Sequence, residues 1–227
     1  MSELSIITTS DGSHSLLNTT LNETYHSTHG ALQESIHVFI ENGFEFLLQH
    51  SPSSEINILE IGFGTGLNVL LTVQSSARID RTINYTSLEA FPIDYNLAQQ
   101  LNYPAMMKMQ DAEVLFNILH HLPWNKVEEV SSNFHLTKRH AKLEKTDLEI
   151  EKFDLIYYDA FAPGKQPEMW ELPILRKVTA AMKPQGVFVT YCAKGQVKRD
   201  LKSLGLRVET LPGPPGKKEM VRAVKTA

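Results

Sequence analysis

The segment covering residues 56–66 constrains the fold of this chain more than any other. Residues 56–61 have the composition of a core strand, and residues 60–66 read Glu-Ile-Gly-Phe-Gly-Thr-Gly directly before a helical pattern that begins at Leu67. Glycines at alternate positions let the backbone turn sharply, and they let a ligand approach where a Cβ would block it. A strand, a glycine loop and a helix in this order predict a ligand site at the carboxyl end of a parallel sheet.

The remainder of the chain alternates between strand and helix patterns. Further strands are predicted at residues 83–88, 134–137, 153–158 and 186–191, and helices at 67–73, 94–101, 111–121, 170–182 and 196–204. Residues 207–211 and 220–224 predict an antiparallel hairpin, because a Pro- and Gly-rich turn separates them. Alternating strands and helices favour a Rossmann-like α/β fold with a mostly parallel sheet, and the hairpin is expected at one edge.

The first 50 residues show a different pattern. Short strands are predicted around an Asp11-Gly12 turn, and apolar residues spaced by three and four predict a helix over residues 31–48, with Asn42-Gly43 as a candidate break. No low-complexity linker interrupts the chain. We therefore predict an N-terminal extension, residues 1–50, packed on a main domain, residues 51–227, within a single structural unit.

The composition excludes several classes of protein. Cys192 is the only cysteine, which excludes an internal disulfide and a multi-cysteine metal site, and the nine histidines show no metal-ligand spacing. No apolar run reaches the roughly 18 residues of a membrane span, and no secretory signal is visible, so we expect a cytoplasmic protein. Residues 1–150 carry 8 basic and 18 acidic residues, whereas residues 151–227 carry 14 and 8. This asymmetry fits binding of a polyanion, and it fits an uneven surface equally well.

Two cofactor classes compete for the glycine loop. A dinucleotide motif would require glycine or alanine at Leu67 or at Val69, and neither is present. The loop instead has the form E/D-x-G-x-G-x-G that is common in S-adenosylmethionine sites, and Glu89 ends the second strand, where an acidic residue would hold the two ribose hydroxyls. A purely structural turn is the alternative. The residues predicted to bind the cofactor are Glu60, Gly62, Phe63, Gly64, Thr65, Gly66, Asn68, Glu89 and Ala90.

An ordered set of motifs over most of the chain resembles one known family. The set lies at residues 11–13, 25–27, 30–31, 34–39, 62–68, 89–92, 159–163, 167–170 and 216–220. Together these motifs resemble the tRNA 5-aminomethyl-2-thiouridine methyltransferases of the MnmC/MnmD type. The resemblance implies the class I S-adenosylmethionine-dependent methyltransferase fold. It also implies conversion of 5-aminomethyl(-2-thio)uridine to its 5-methylaminomethyl form at the tRNA wobble position.

Asp159 is the predicted catalytic residue. It follows a buried strand, and parallel strands place it beside the glycine loop. There a carboxylate can accept an N–H bond from an amine and direct the nitrogen toward the methyl group. A helix N-cap is the structural alternative. The Asp-Ala-Phe-Ala-Pro run resembles the loops of nucleic-acid amino methyltransferases, which implies substrate contacts for Phe161 and Pro163.

The basic C-terminal third supplies candidate contacts to tRNA phosphates, Lys217 and Lys218 among them, and the anticodon arm is the expected target. The chain resembles the stand-alone form of the family, which lacks the flavin-binding oxidoreductase domain. We therefore expect S-adenosylmethionine as the cofactor, and we expect no flavin and no metal. The sequence does not indicate the oligomeric state, and a monomer is compatible with it. Two alternatives stay open: an N-methyltransferase of a small-molecule or protein amine, and a non-catalytic S-adenosylmethionine- or RNA-binding module.

Overall fold

The computed structural model describes residues 4–107 and 109–226 of the 227-residue chain. Its N-terminal part contains a three-stranded antiparallel sheet of β1 (Leu4–Thr8), β2 (His14–Asn18) and β3 (Glu23–Thr24). A continuous helix follows, made of α1 (Ala31–Ser35), a π-helical stretch (Ile36–Glu45) and α2 (Phe46–His50). The predicted short strands and helix are therefore present. The division into an extension and a main domain stays a prediction. The first three residues of the predicted extension lie outside the described ones.

A mixed sheet of eight strands lies at the centre of the fold. It contains β4 (Glu55–Ile61), β5 (Thr82–Glu89), β6 (Val127–Ser131), β7 (Phe134–His140), β8 (Phe153–Tyr158), β9 (Met182–Thr190), β10 (Leu206–Pro212) and β11 (Glu219–Lys225). The strand order is β10-β11-β9-β8-β4-β5-β7-β6. Strands β9, β8, β4, β5 and β7 are parallel, whereas β11 runs antiparallel to β9 and β10, and β6 to β7. The predicted α/β fold with an antiparallel C-terminal hairpin is confirmed.

Helices cover the two faces of this sheet. They are α3 (Leu67–Ser76), α4 (Tyr95–Ala98), α5 (Tyr103–Met106), α6 (Ala112–His121), α7 (Leu172–Ala180) and α8 (Gly195–Ser203), with short 3₁₀ turns at Leu143–Lys145 and Pro167–Trp170. Successive side chains of a strand point to opposite faces, so β8 contributes to two cores. Leu155 and Tyr157 belong to the core under the N-terminal helix and α3, and Ile156 and Tyr158 to the core under α7 and α8. No helix within the described ranges is long and apolar enough to cross a membrane.

The N-terminal helix does not break at Asn42-Gly43, where the sequence suggested a break. It continues as a π-helix, and Asn42 Nδ2 donates a 2.8 Å hydrogen bond to the His37 carbonyl. At Gly43 the helix lies against the sheet, since a Cβ there would come within 3.0 Å of Val189 and 3.2 Å of Tyr157. Close packing on the sheet, which sequence periodicity cannot show, therefore accounts for the glycine.

Two differences from the predicted strands lie at one edge of the sheet. The edge strand β6 was not predicted, because its sequence Val-Glu-Glu-Val-Ser is mostly polar. Strand β7 extends to His140 instead of ending at residue 137. The extension includes Lys138, whose buried Nζ donates to the carbonyls of Leu119 and His120 at 2.7 and 3.0 Å. Lys138 thus caps the C-terminal end of α6, a stabilising place for a cation.

The chain changes its direction of travel across the sheet between β4 and β8. The candidate site lies at this position. After β4 the chain adds β5 and β7 on one side, and it then returns to form β8 on the other side of β4. The backbone N–H of Asp159 donates to the Ile61 carbonyl at 3.0 Å, and that of Gly62 donates to the Leu88 carbonyl at 2.9 Å. The turns after β4, β5 and β8 consequently meet at the carboxyl end of the sheet, where ligands bind in such folds.

We predict that Gly62→Ala destabilises the protein more than Gly205→Ala. Both glycines have a left-handed backbone, with φ of 96° and 87°, which costs an alanine roughly 1–2 kcal/mol. A Cβ at Gly62 would also lie 2.7 Å from the Asp159 carbonyl oxygen, whereas a Cβ at Gly205 would have no atom within 4 Å. Urea unfolding should therefore show a larger loss of unfolding free energy for Gly62→Ala. Equal losses would mean that the turns after β4 and β8 separate easily.

Candidate active site

A large cavity opens where the carboxyl ends of β4, β5 and β8 meet. Its volume is about 1460 Å³. The glycine loop, the end of β5 and the residues after β8 line it. It is also lined by Tyr25 and Glu34 from the N-terminal part and by Lys217 from the turn between β10 and β11. Both terminal parts of the chain therefore help to enclose a site that the central sheet creates.

The glycine loop joins β4 to α3 and is held by the N-terminal part. Thr65 in this loop is buried, and its Oγ1 lies 2.7 Å from Nε2 of His26. Burial lowers the pKa of His26 to about 4, so its ring is neutral at neutral pH. The loop is also contacted from α6, where His120 Nε2 lies 3.2 Å from the Thr65 carbonyl oxygen. These contacts restrain the conformation of the loop.

Glu89 ends β5 at the edge of the cavity. Its Oε2 accepts a 2.9 Å hydrogen bond from the backbone N–H of Gly64, and its Oε1 accepts a 2.8 Å bond from that of Phe91. A carboxylate oxygen can accept more than one hydrogen bond, so both oxygens keep acceptor capacity. The backbone therefore orients a carboxylate that can still bind a pair of vicinal hydroxyls.

Asp159 follows β8 and lines the cavity next to the glycine loop. Its Oδ2 accepts a 2.9 Å hydrogen bond from Nδ2 of Asn68, in the first turn of α3. Burial raises the pKa of Asp159 to about 7, and the charge of Glu34 adds to this effect, while the Asn68 hydrogen bond and Lys217 oppose it. A half-buried carboxyl with a pKa near 7 in a cavity is suited to accept a proton at neutral pH.

An aromatic pair lines the cavity beside Asp159. The rings of Tyr25 and Phe161 pack edge to face, with centroids 5.1 Å apart and an interplanar angle of 82°. Tyr25 also lies against the glycine loop, since a Cβ at Gly64 would come within 3.3 Å of its ring. Aromatic side chains of this kind supply flat apolar area on which a planar base can pack.

An ion pair joins the two ends of the chain at the cavity. Nζ of Lys217 donates to Oε1 of Glu34, whose Oε2 accepts a 2.7 Å hydrogen bond from the backbone N–H of Ser27. The same Nζ lies 3.7 Å from the centre of the Tyr191 ring. Glu34 is only 4% exposed, so its charge depends on Lys217 for compensation. Lys217 thus has a structural partner in addition to any ligand.

The structure brings most of the predicted site residues together, and it separates a few. The predicted residues that line the large cavity are Gly62, Phe63, Gly64, Thr65, Asn68, Glu89, Ala90, Asp159, Phe161 and Lys217. Pro163 and Lys218 line a neighbouring cavity of about 440 Å³, which Lys217 also borders. Glu60 and Gly66 line neither cavity. Their predicted contact with the cofactor stays a prediction: Glu60 is completely buried against the neighbouring strand, and Gly66 packs against Phe63 and His120.

Sequence reasoning missed several residues of the site. Tyr25, His26 and Glu34 were noted only as part of a resemblance, and Tyr191 was not noted at all. Their contribution depends on packing of the N-terminal part against the carboxyl end of the sheet, which no local pattern specifies. The only available signal was the cluster of polar and aromatic residues at positions 25–37 in a segment otherwise expected to be peripheral.

A comparison with protein families identifies the family to which this chain belongs. A model of an S-adenosyl-L-methionine-dependent methyltransferase family matches residues 107–226, more than half of the chain. The chain belongs to this family. The matched part of the methyltransferase includes Asp159 and the C-terminal hairpin, and the glycine loop precedes it.

Curated relatives match nearly the whole methyltransferase chain. The tRNA 5-methylaminomethyl-2-thiouridine biosynthesis bifunctional protein MnmC of Nitrosospira multiformis is 28% identical over 218 residues, covering 91% of this chain and 35% of the relative. The protein of the same name from Cupriavidus necator is 31% identical over 212 residues, covering 88% and 31%. The methyltransferase thus spans about a third of the length of these relatives.

Solved structures show the same fold. The crystal structure of MnmC2 from Aquifex aeolicus superposes with a TM-score of 0.80 at 24% identity, covering 100% of this methyltransferase and 71% of that chain. A probable spermidine synthase from Corynebacterium glutamicum superposes with a TM-score of 0.53 at 13% identity, covering 99% and 76%. At these identities, the comparison establishes the fold alone.

The residues present fit the cofactor that the family name implies. Gly62 and Gly64 of the glycine loop line the cavity. Glu89 presents acceptor oxygens for the ribose hydroxyls, and its hydrogen bond to Gly64 ties them to the same loop. S-adenosylmethionine has a ribose with two free hydroxyls and no pyrophosphate, and the donor set of this site matches that chemistry.

We predict that Asp159→Asn raises the melting temperature in a pH-dependent way. The pKa of Asp159 is raised from 3.8 to about 7 by burial, so the folded state holds a proton that the unfolded state releases. The unfolding free energy therefore falls as the pH rises from about 4 to about 7. Above that range, the loss of unfolding free energy caused by ionising Asp159 in the folded protein is constant. Asparagine has no such cost.

Thermal unfolding of Asp159→Asn and the natural protein, measured across this pH range, checks the prediction. The difference in melting temperature should grow up to about pH 7, with roughly 2–4 °C for each kcal/mol in a protein of this size. The exposed Asp80 provides the control, because Asp80→Asn removes the same charge from the surface. A difference that does not depend on pH would contradict the raised pKa of Asp159.

Proposed function

We propose that this protein is a tRNA-modifying N-methyltransferase that converts 5-aminomethyl(-2-thio)uridine to the 5-methylaminomethyl form at the wobble position. The names of its curated relatives refer to biosynthesis of this modified nucleoside. The observation that carries the proposal is Asp159, a half-buried carboxyl at the cavity between the glycine loop and an aromatic pair. The chain spans about a third of the length of those bifunctional relatives, and the proposal concerns the methyl transfer.

The cofactor side of the site consists of the glycine loop and Glu89. When bound, S-adenosylmethionine supplies an electrophilic methyl group on a sulfonium that leaves as a neutral thioether. Glu89 would hold the ribose hydroxyls, and Gly62 and Gly64 line the same part of the cavity. Thr65 and Asn68, which also line the cavity, complete this side. No flavin and no metal enter the proposed reaction.

Asp159 orients the acceptor amine and receives its proton. Its Oδ1 is not used by Asn68, which donates to Oδ2, so Oδ1 can accept an N–H bond from the substrate amine. That bond directs the nitrogen lone pair away from Asp159 and toward the methyl group. The nitrogen gains positive charge as the N–C bond forms, and the raised pKa of Asp159 makes its carboxylate a better base for the released proton.

The acceptor side of the cavity suits a nucleobase. Phe161 follows Asp159 by two residues, and its ring packs against Tyr25. We propose that the uracil ring packs on this pair while its aminomethyl group reaches Asp159. Pro163 and Lys218 lie at the smaller neighbouring cavity, where the adjoining nucleotides of the anticodon arm would pass. The cytoplasmic location expected from the sequence suits a tRNA substrate and stays a prediction.

Asp159→Ala should lower the rate of methyl transfer by about 10²–10⁴-fold, the usual contribution of a positioned acid or base. Single-turnover transfer to tRNA that carries 5-aminomethyluridine measures this, with S-adenosylmethionine binding followed by calorimetry. Cofactor affinity should be retained. Asp159→Asn separates two contributions: a milder loss indicates that orientation of the amine dominates, and an equal loss indicates that proton removal dominates. Full activity of Asp159→Ala would exclude the proposed role.

The same assay distinguishes the proposed substrate from other amines. The natural protein should methylate tRNA with the aminomethyl group and leave tRNA with unmodified wobble uridine unchanged. Transfer to free small amines or to protein lysines at comparable rates would instead favour the alternative N-methyltransferase. Binding of S-adenosylmethionine without transfer to any of these acceptors would favour a non-catalytic module.

Lys218→Glu should raise the KM for tRNA about threefold or more. It should also make the slope of log binding constant against log salt concentration shallower by about one. Lys218 is exposed and borders the smaller neighbouring cavity, whereas Lys217 is ion-paired with the buried Glu34. Reversal of Lys217 would therefore disturb the fold as well. Lys126 is exposed beside β6 at the opposite edge of the sheet, so Lys126→Glu is the matched control. Equal effects of the two reversals would place the tRNA elsewhere.

A further inference from the structure

The segment that begins with Asp159 has no regular secondary structure. It comprises residues 159–163, which we call the acceptor loop, and it follows the end of β8. Backbone carbonyls outside helices and strands need other hydrogen-bond donors when they are shielded from water. The carbonyls of Ala160 and Phe161 receive no backbone N–H from the described residues, and Ala160 is only 6% exposed. Side chains therefore have to supply the donors.

Two aromatic side chains supply these donors. The hydroxyl of Tyr191 donates a 2.8 Å hydrogen bond to the Ala160 carbonyl. Nε1 of Trp170 donates a 2.7 Å hydrogen bond to the Phe161 carbonyl. These bonds reach the two residues that directly follow Asp159. They therefore restrain the backbone that carries the Asp159 carboxyl and the Phe161 ring.

The sheet and the C-terminal turn place Tyr191 for this contact. Tyr191 directly follows β9, and the parallel strands β8 and β9 end at the same edge of the sheet. Nζ of Lys217 lies 3.7 Å from the centre of the Tyr191 ring and pairs with Glu34. A cation over the face of a ring is attracted to it and leaves its hydroxyl free to bind elsewhere. The ring is thus held from one side while the hydroxyl binds the acceptor loop.

We propose that Tyr191 is a positioning residue that orients Asp159 through the Ala160 carbonyl. Without the hydroxyl, the Ala160 carbonyl has no donor, and the acceptor loop gains freedom to move. Methyl transfer requires alignment of the amine with the methyl group, so a small displacement of Asp159 lowers the rate. Tyr191 acts through the backbone and does not touch the reacting atoms. The inference rests on the proposed role of Asp159.

Hydrogen exchange tests the restraint without any transfer assay. Tyr191→Phe removes the hydroxyl and keeps the ring. The backbone N–H groups of Asp159 and Lys165, at the start of the acceptor loop and just beyond it, are bonded to the carbonyls of Ile61 and Ala162. They should exchange about threefold faster or more in the variant, as expected for the loss of one restraining hydrogen bond. Unchanged exchange of both groups overturns the proposal.

Methyl transfer tests whether this restraint matters for the reaction. Single-turnover transfer at saturating tRNA and cofactor should be about tenfold slower in Tyr191→Phe, and the affinity for S-adenosylmethionine should be unchanged. In the Asp159→Ala background, the same substitution should slow transfer by less than about twofold, because no carboxyl is left to position. A tenfold loss in both backgrounds contradicts action through Asp159.

Tyr95→Phe is the matched control. The Tyr95 hydroxyl also donates a 2.8 Å hydrogen bond, to Oδ1 of Asn117 on α6, and Tyr95 lines neither cavity. Exchange in the acceptor loop and the rate of transfer should both equal those of the natural protein. Equal effects of Tyr95→Phe and Tyr191→Phe contradict the proposal, because they would show that loss of a distant hydroxyl is sufficient.

These outcomes separate the inference from the proposed function. A natural protein that methylates no aminomethyluridine tRNA contradicts the proposed function, and the exchange rates still decide whether Tyr191 restrains the acceptor loop. A raised KM for tRNA in Tyr191→Phe, with a normal rate at saturation, contradicts the positioning role, because that result assigns the hydroxyl to substrate binding. A tenfold weaker binding of S-adenosylmethionine also contradicts it, because that result assigns the hydroxyl to the cofactor side.

Discussion

The backbone contact between the turns after β4 and β8 determines the geometry of the whole site. These strands are neighbours at the point where the chain reverses its direction of travel across the sheet. The Asp159 N–H bonds to the Ile61 carbonyl, and the Asp159 carbonyl lies so close to Gly62 that a Cβ would not fit. The glycine at this position thus serves close packing between two turns. As a result, the glycine loop and the Asp159 carboxyl form a single surface.

The terminal parts of the chain complete this surface from opposite directions. His26 contacts the glycine loop, Tyr25 packs between that loop and Phe161, and Glu34 pairs with Lys217 from the C-terminal turn. Each contact links segments that are far apart in the sequence. The ion pair has a further consequence, since Glu34 and Lys217 act on the pKa of Asp159 in opposite directions. The ion pair that joins the two ends of the chain at the cavity therefore also influences the pKa of Asp159.

Two carboxyl groups, the buried Glu60 and the half-buried Asp159, have raised pKa values that reduce stability at neutral pH. Burial is the largest cause for both Glu60 and Asp159, and Asn68 lies between them. Such groups are costly in a fold, and proteins keep them where chemistry requires a tuned proton.

The sequence by itself determined the order of the parallel strands and the C-terminal hairpin, the glycine loop, and the positions of Glu89 and Asp159 at strand ends. Those features follow from local periodicity and from the rule that parallel strands share a carboxyl edge. Tertiary structure alone decided that Glu60 faces the neighbouring strand, that Lys217 is paired with Glu34, and that Tyr25 lines the cavity. Side-chain environment depends on which distant segments pack together, and local sequence patterns carry no information on that packing. Tertiary packing likewise accounts for Gly43 in the π-helical segment, because the helix lies too close to the sheet at this point for a side chain to fit easily.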